Sequence, residues 1–138
     1  MRYFLILILL LPLAVSAQRD WTDIEMEVTK LAPGIHRIFI ANSVSAITFH
    51  GDEGLMVIDA GYEQSSEKLM EEIRKITDAQ LEYLVNTHIH GDHTGGNKLL
   101  GKEARQIIAH PSVKEYLSAE QQQGDNIIPP FPDYAIPE

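Results

Sequence analysis

The sequence predicts a layered α/β or α+β fold for this chain of 138 residues. Segments rich in β-branched and aromatic residues alternate with two amphipathic segments of helical period. The order of these segments is strands, helix, strand, helix, strand, helix, which predicts a sheet with helices packed against it. The length, with 44% hydrophobic and 22% charged residues, suits one globular domain.

Antiparallel strands are predicted in the first half of the chain. Residues 34–41 and 45–50 are rich in β-branched and aromatic side chains, and the first segment follows a Pro-Gly pair. Residues 51–54 supply a turn into a further apolar segment at 55–58. These three segments predict a hairpin or a meander. The polar residues before them predict no element.

A change of period marks the second half of the chain. Residues 65–76 repeat apolar side chains at helical spacing, and Ser65 or Ser66 can cap this helix. Two more strands are predicted to follow, over 81–86 and 106–109, with a short segment from Gly95-Gly96 to Leu100 between them in the helix position, and a second amphipathic helix is predicted over 112–123. In the second helix the side chains predicted to face the core are Val113, Tyr116 and Leu117.

The N-terminus has the features of a secretory signal peptide. Arg2 precedes an apolar run over residues 3–15, and small residues follow, which predicts cleavage after Ala17. The alternative is a membrane anchor, but the run is shorter than the roughly twenty residues that span a bilayer. We therefore expect a signal peptide at 1–17, a domain over 18–138, and a periplasmic or secreted protein.

Charge and cysteine content exclude several classes of partner and fold. Removal of residues 1–17 takes away one basic residue and no acidic one, so the formal charge changes from −9 to −10. Such a chain repels nucleic acid and anionic membranes, so we expect a small-molecule substrate as its partner. Without cysteine there is no disulfide framework, and a zinc site must use nitrogen and oxygen ligands.

Four potential metal ligands lie within six residues, in the order His88, His90, Asp92 and His93. His88 and His90 would share one face of an extended chain, and Gly91 with Asp92 suits a turn before His93. The segment can therefore direct two pairs of ligands into one pocket, which suggests two metals. Imidazole and carboxylate without thiolate match catalytic zinc, with iron or manganese as alternatives. The remaining alternative is a histidine-rich surface loop.

Catalytic zinc predicts hydrolysis as the reaction class. It keeps one coordination position for water and lowers the pKa of that water toward about 7, which generates hydroxide at neutral pH. Two metals about 3.5–4 Å apart can share the hydroxide and stabilise the oxyanion that forms.

These residues resemble the HxHxDH signature of the metallo-β-lactamase superfamily of metal-dependent hydrolases. The Thr-Gly-Gly-Asn run at 94–97 is also typical, and the resemblance extends to the Asp-x-Gly at 59–61 and to 107–110, over about residues 31–137. The family fold is a four-layer αβ/βα sandwich. The resemblance implies that this chain forms the N-terminal half of such a sandwich.

The resemblance also implies roles for the four ligands. His88 and His90 would bind the first zinc ion, and Asp92 and His93 the second. Asp92 would in addition act as a catalytic residue that orients the attacking water or helps protonate the leaving group. The complete family site takes about seven ligands, including a further His, a bridging Asp and a last His. We find only His110 after His93 and expect it to be structural.

Neighbours of the ligands have alternative interpretations. Asp59 would by resemblance hydrogen-bond the ligand segment, or it is a solvated turn residue. Thr87 either orients His88 or only ends the strand. The glycines of the segment are predicted to allow close backbone approach and positive φ; they are Gly91, Gly95 and Gly96. The histidines outside the segment, His36 and His50, are predicted not to be ligands.

The resulting hypothesis is an exported zinc-dependent hydrolase that attacks a lactam, lactone, ester or thioester carbonyl. We expect the domain to be incomplete at its C-terminus, because the chain ends on a proline-rich segment at 128–138 without a closing element. The alternatives are a non-catalytic metal-binding module and an inactive truncated fragment with an uncovered sheet face. The oligomeric state stays open.

Overall fold

A computed structural model describes residue 21 and residues 23–123, with side chains up to residue 117. The predicted signal peptide and the proline-rich segment lie outside these residues. Six strands form one sheet in sequence order. Their bounds are β1 Met26–Ala32, β2 Ile35–Ile40, β3 Val44–Gly51, β4 Gly54–Ile58, β5 Leu81–Asn86 and β6 Gln106–Ala109.

Four helices accompany the sheet, and Glu63–Ser65 forms a 3-10 turn before the first of them. Their bounds are α1 Ser66–Ile76, α2 Gly91–Thr94, α3 Asn97–Glu103 and α4 Pro111–Gln123. Strands β1 to β4 form an antiparallel meander, whereas β4, β5 and β6 are parallel and joined by helical crossovers. None of the helices in the described ranges is long and apolar enough to cross a membrane.

The predicted fold class is confirmed, and two elements have weak sequence signals: β1 was not predicted, and α3 was predicted only as a short segment that ends at Leu100. Strand β1 lies at the sheet edge, and its side chains are mostly exposed, so it lacks an apolar period. Helix α3 spans only seven residues and follows a Gly-Gly pair. Both elements are stabilised by their neighbours rather than by local sequence preference.

One face of the sheet carries the buried core. A row of paired residues crosses it from β2 to β6, and α1, α3 and α4 pack against this face. The predicted inner residues Val113 and Leu117 are buried, but the prediction for Tyr116 is wrong, because it is 47% exposed. Full burial of one such aliphatic side chain stabilises the fold by about 1.5–3 kcal/mol. The row of paired residues that crosses the buried face from β2 to β6 consists of His36, Thr48, Val57, Leu84 and Ile107.

The opposite face of the sheet is apolar and open to solvent in the described part of the chain. Phe49 is 47% exposed and Tyr83 is 41% exposed, although both lie within strands. We call this surface the open face; its paired rows are Phe49, Met56 and Tyr83, then Ile47, Ile58, Val85 and Ile108. An apolar sheet face of this kind requires a further layer for stability.

The serine residues before α1 do not cap it as predicted. Ser65 occupies the N-cap position, but its hydroxyl donates to the carbonyl of Tyr62 at 3.0 Å. The hydroxyl of Ser66 donates to the carbonyl of Glu63 at 2.7 Å. The prediction of a side-chain cap is wrong, because both hydroxyls stabilise the preceding 3-10 turn instead.

His36 is in an unusual environment at the end of the sheet remote from His88. Its Nδ1 and the hydroxyl of Thr48, directly opposite on β3, are buried without a hydrogen-bond partner among the described residues. The His50 ring stacks on His36 with centroids 5.8 Å apart. Burial lowers the pKa of His36, and the positive charges of His50 and Lys30 lower it further.

The lowered pKa of His36 predicts a loss of stability on acidification. The unfolded chain takes up the proton near the ordinary pKa of 6.5, whereas the folded chain takes it up only at lower pH. The free energy of unfolding is therefore expected to decrease as the pH falls below 6.5. Urea denaturation between pH 5 and 8 measures this, and the decrease should be smaller in His36→Phe and intermediate in Lys30→Gln. An unchanged decrease in His36→Phe would contradict the assignment.

Candidate metal centre

The ends of two parallel strands bring Asp59 next to residues 87–96, which we call the histidine segment. Strand β4 ends at Ile58 and its neighbour β5 ends at Asn86, so the residues that follow them meet at one sheet edge. The backbone N–H of Asp59 donates to the carbonyl of Val85 at 2.7 Å. Asp59 has φ +62°, a left-handed conformation that costs about 1–2 kcal/mol outside glycine. Strain of this kind often marks a functional position.

Asp59 is buried, with 5% of its surface exposed. Its carboxylate accepts hydrogen bonds from Thr87 and from His93. The backbone N–H of Thr87 donates to Oδ1 at 2.9 Å, and the Thr87 hydroxyl donates to Oδ2 at 2.8 Å. His93 Nδ1 lies 2.7 Å from Oδ2. Asp59 therefore contacts the segment directly and is not a solvated turn residue.

These hydrogen bonds fix which ring nitrogens carry protons. Thr87 has one hydroxyl proton, which it donates to Asp59, so its oxygen accepts from His88 Nδ1 at 3.0 Å. His93 Nδ1 likewise donates to the carboxylate. In the neutral form of either ring, Nε2 then has the free lone pair that binds a metal.

The three imidazole rings of the segment lie close together. The ring centroids of His88 and His90 are 4.8 Å apart, and those of His88 and His93 are 4.1 Å apart. His90 lies at the N-cap of α2, which turns the chain so that His93 lies near His88. The predicted turn between His90 and His93 is therefore a single helical turn.

Asp92 and His93 have the separation of two ligands of one metal. Asp92 Oδ2 lies 3.6 Å from His93 Nε2, and two ligands of a tetrahedral zinc ion lie roughly 3.4 Å apart. Among residues 21 and 23–123, however, no three His, Asp or Glu side chains are placed to hold one ion. The donor set therefore fits part of a metal site, with two pairs of ligands that each need further donors.

The glycines of the segment have different roles. A Cβ atom on Gly96 would lie 2.2 Å from the carbonyl oxygen of Ala60, and one on Gly95 would lie 2.5 Å from the nitrogen of Glu63. The predicted close approach is thus correct for these two. It is wrong for Gly91, which has open space around it, and none of the three has a positive φ.

Two buried asparagines behind the segment were missed as site residues. The side-chain amides of Asn86 and Asn97 exchange two hydrogen bonds, of 3.1 Å and 2.7 Å. An asparagine at the end of an apolar strand was the available signal. His110 follows β6 at the same end of the sheet, because Ala109 pairs with Asn86, but its ring contacts α4, with Nδ1 2.7 Å from the hydroxyl of Ser112.

Comparison with known proteins identifies the fold. The chain is similar to a metallo-β-lactamase of Cronobacter sakazakii, a HARLDQ-motif mutant, with a TM-score of 0.62 and 24% identity over 80% of this chain and 45% of that one. It is similar to a subclass B3 metallo-β-lactamase isolated from a soil metagenome library, with a TM-score of 0.61 and 22% identity over 84% of this chain and 46% of that one.

Sequence comparison adds one curated relative and a family. A linear primary-alkylsulfatase of Pseudomonas sp. (strain ATCC 19151) is 34% identical over 77 residues, which are 55% of this chain and 14% of that protein. The chain thus spans less than half of the length of each of these relatives. The model of the metallo-β-lactamase superfamily matches residues 39–135, which include the whole histidine segment. Because this match covers more than half of the residues of this chain, the chain belongs to the metallo-β-lactamase superfamily.

Proposed function

We propose that this chain supplies half of the metal centre of an exported zinc-dependent hydrolase with a small-molecule substrate. The observation that carries the proposal is the hydrogen-bonded histidine segment at the ends of β4 and β5. Its three imidazole rings lie side by side, and two of them have Nε2 available for a metal. Export is proposed from the signal-peptide features of residues 1–17.

We propose the division of the four ligands that the resemblance to the superfamily implies, and the 3.6 Å between Asp92 Oδ2 and His93 Nε2 supports the second pair. His88 and His90 would hold one metal, and Asp92 with His93 would hold the second. Bound zinc would supply a Lewis acid and a water of lowered pKa. Asp92, which is partly exposed, would orient the attacking water or hold a proton for the leaving group through a carboxylate oxygen.

Asp59 and Thr87 are proposed as positioning residues. Asp59 accepts from His93, and Thr87 links Asp59 to His88, so one carboxylate orients a ligand of each pair. A hydrogen bond at Nδ1, the ring nitrogen that does not bind the metal, fixes the tautomer and raises the basicity of Nε2, the nitrogen that does. Asp59 would thus orient one histidine ligand of each of the two metals.

We further propose that the open face belongs to a larger domain. Phe49, Tyr83 and Ile108 are exposed apolar side chains on this face, its other members are half-buried, and the similar solved structures are more than twice as long as the matched part. A second sheet layer would cover this face and supply the missing ligands. The domain over 18–138 would then be the N-terminal part of the sandwich.

The substrate class has two candidates. The fold neighbours named as metallo-β-lactamases favour attack on a lactam or a related carbonyl, such as a lactone, ester or thioester. The 34% identity to the alkylsulfatase favours a sulfate ester as the second candidate. Both reactions develop negative charge on oxygen, which a pair of metal ions stabilises.

Substitution of a proposed ligand tests the metal centre. His88→Ala or His90→Ala in the product of the intact gene should remove about one zinc ion and reduce hydrolysis at least 100-fold, because the first metal loses a donor. Metal content and turnover measure this. His110→Ala, which changes a histidine outside the segment, is the matched control and should keep both. Full zinc content in either ligand variant would refute the assignment.

Asp59→Asn tests the positioning role. The amide replaces an acceptor by a donor opposite Thr87 or His93, so we expect a stability loss of about 1–3 kcal/mol in the metal-free protein. Nitrogen NMR should also show that the His93 tautomer changes. Asp92→Asn is the control and should stay within about 0.5 kcal/mol of wild type, because this carboxylate is partly exposed. Equal losses in both variants would contradict the proposal.

Assay of the zinc-loaded product of the intact gene, with one substrate of each class, distinguishes the two substrate classes. We expect turnover of a chromogenic β-lactam or of an aryl ester, and the sulfate-ester candidate instead predicts sulfate release from a linear alkyl sulfate. The His88→Ala variant controls for contaminating activity. Turnover of the alkyl sulfate alone would replace the carbonyl candidate by the sulfate ester.

A further inference from the structure

We propose that Asn86 and Asn97 are positioning residues for the metal ligands, acting through the closure of the segment that carries them. The inference rests on the proposed metal centre and extends it. Neither residue is proposed to bind metal. Their amide pair instead determines where the segment of residues 87–96 begins and ends.

The pair joins the residues that flank the segment. Asn86 is the last residue of β5, and Asn97 is the first residue of α3. The Nδ2 of Asn86 donates to Oδ1 of Asn97 at 3.1 Å, and the Nδ2 of Asn97 donates to Oδ1 of Asn86 at 2.7 Å. Asn86 is 3% exposed and Asn97 is fully buried. All four proposed ligands therefore lie in a loop that is closed at its base by two hydrogen bonds.

This closure is separate from the Asp59 network. Asp59 contacts Thr87 and His93, whereas the amide pair holds the backbone on either side of both residues. The backbone of Gly96 packs against Ala60 and its N–H donates to the carbonyl of Gly61 at 3.2 Å, so the base of the loop is also held by the residues that follow β4. A shift of Asn97 would move α2 relative to the end of β5 and separate the two pairs of ligands.

Folding stability alone does not explain a buried amide pair. Well-packed apolar side chains at two paired buried positions are often as stabilising as a polar pair, because no polar group must then leave water. What the amide pair adds is direction, because both hydrogen bonds form only at one relative orientation of the two residues. Removal of both amides should therefore affect ligand geometry more than folding.

Cobalt binding tests this inference on the whole protein. We compare wild type, Asn86→Leu/Asn97→Leu and Asn97→Asp by titration with Co²⁺, whose visible spectrum reports coordination geometry. We expect the double variant to bind 10–100-fold more weakly with an altered spectrum, as is typical when groups that orient metal ligands are lost. Asn97→Asp keeps one of the two hydrogen bonds and should lie between wild type and the double variant.

A destabilised control separates positioning from folding. Ile38→Ala removes a fully buried side chain on β2, away from the segment, and should lower the unfolding temperature while leaving the affinity and spectrum of the folded molecules unchanged. Wild-type cobalt affinity and spectrum in folded Asn97→Asp or in the double variant would overturn the inference alone. Failure of wild type to bind cobalt would overturn the proposed metal centre together with it.

Discussion

The arrangement of the histidine segment depends on one buried carboxylate. Asp59 accepts hydrogen bonds from Thr87 and His93, and through Thr87 it also determines the tautomer of His88. The left-handed backbone of Asp59 is the conformational cost of this arrangement. Without that acceptor, three partly exposed imidazoles on a short loop would have no reason to adopt one orientation.

The parallel pairing of β4 with β5 is what makes this interaction available. Residues 59 and 87 are 28 positions apart in sequence, and they meet because both strands end at the same edge. The crossover through α1 provides the parallel pairing, and the packing of Leu69 and Ile73 against the sheet holds that helix in place. The crossover through α1 therefore links the packing of the core to the geometry of the site.

Sequence reasoning identified the fold class and the ligand segment, because apolar periodicity and a dense ligand motif are local signals. It missed β1, whose alternation is obscured at an exposed edge, and it placed the exposed Tyr116 in the core. The amide pair of Asn86 and Asn97 could not be predicted from local patterns, since it joins residues across the segment. The same holds for the strained backbone of Asp59, which depends on its partners rather than its neighbours.

The alternation of side chains along β4 and β5 has a structural consequence. Ile58 and Val85 belong to the open face, and the residues that follow them, Asp59 and Asn86, support the histidine segment. The open face therefore lies a single peptide unit away, on each strand, from a residue that supports the proposed ligands. A layer that packs on the open face would contact β4 and β5 next to Asp59 and Asn86, so the contacts that complete the sandwich would adjoin those that hold the histidine segment.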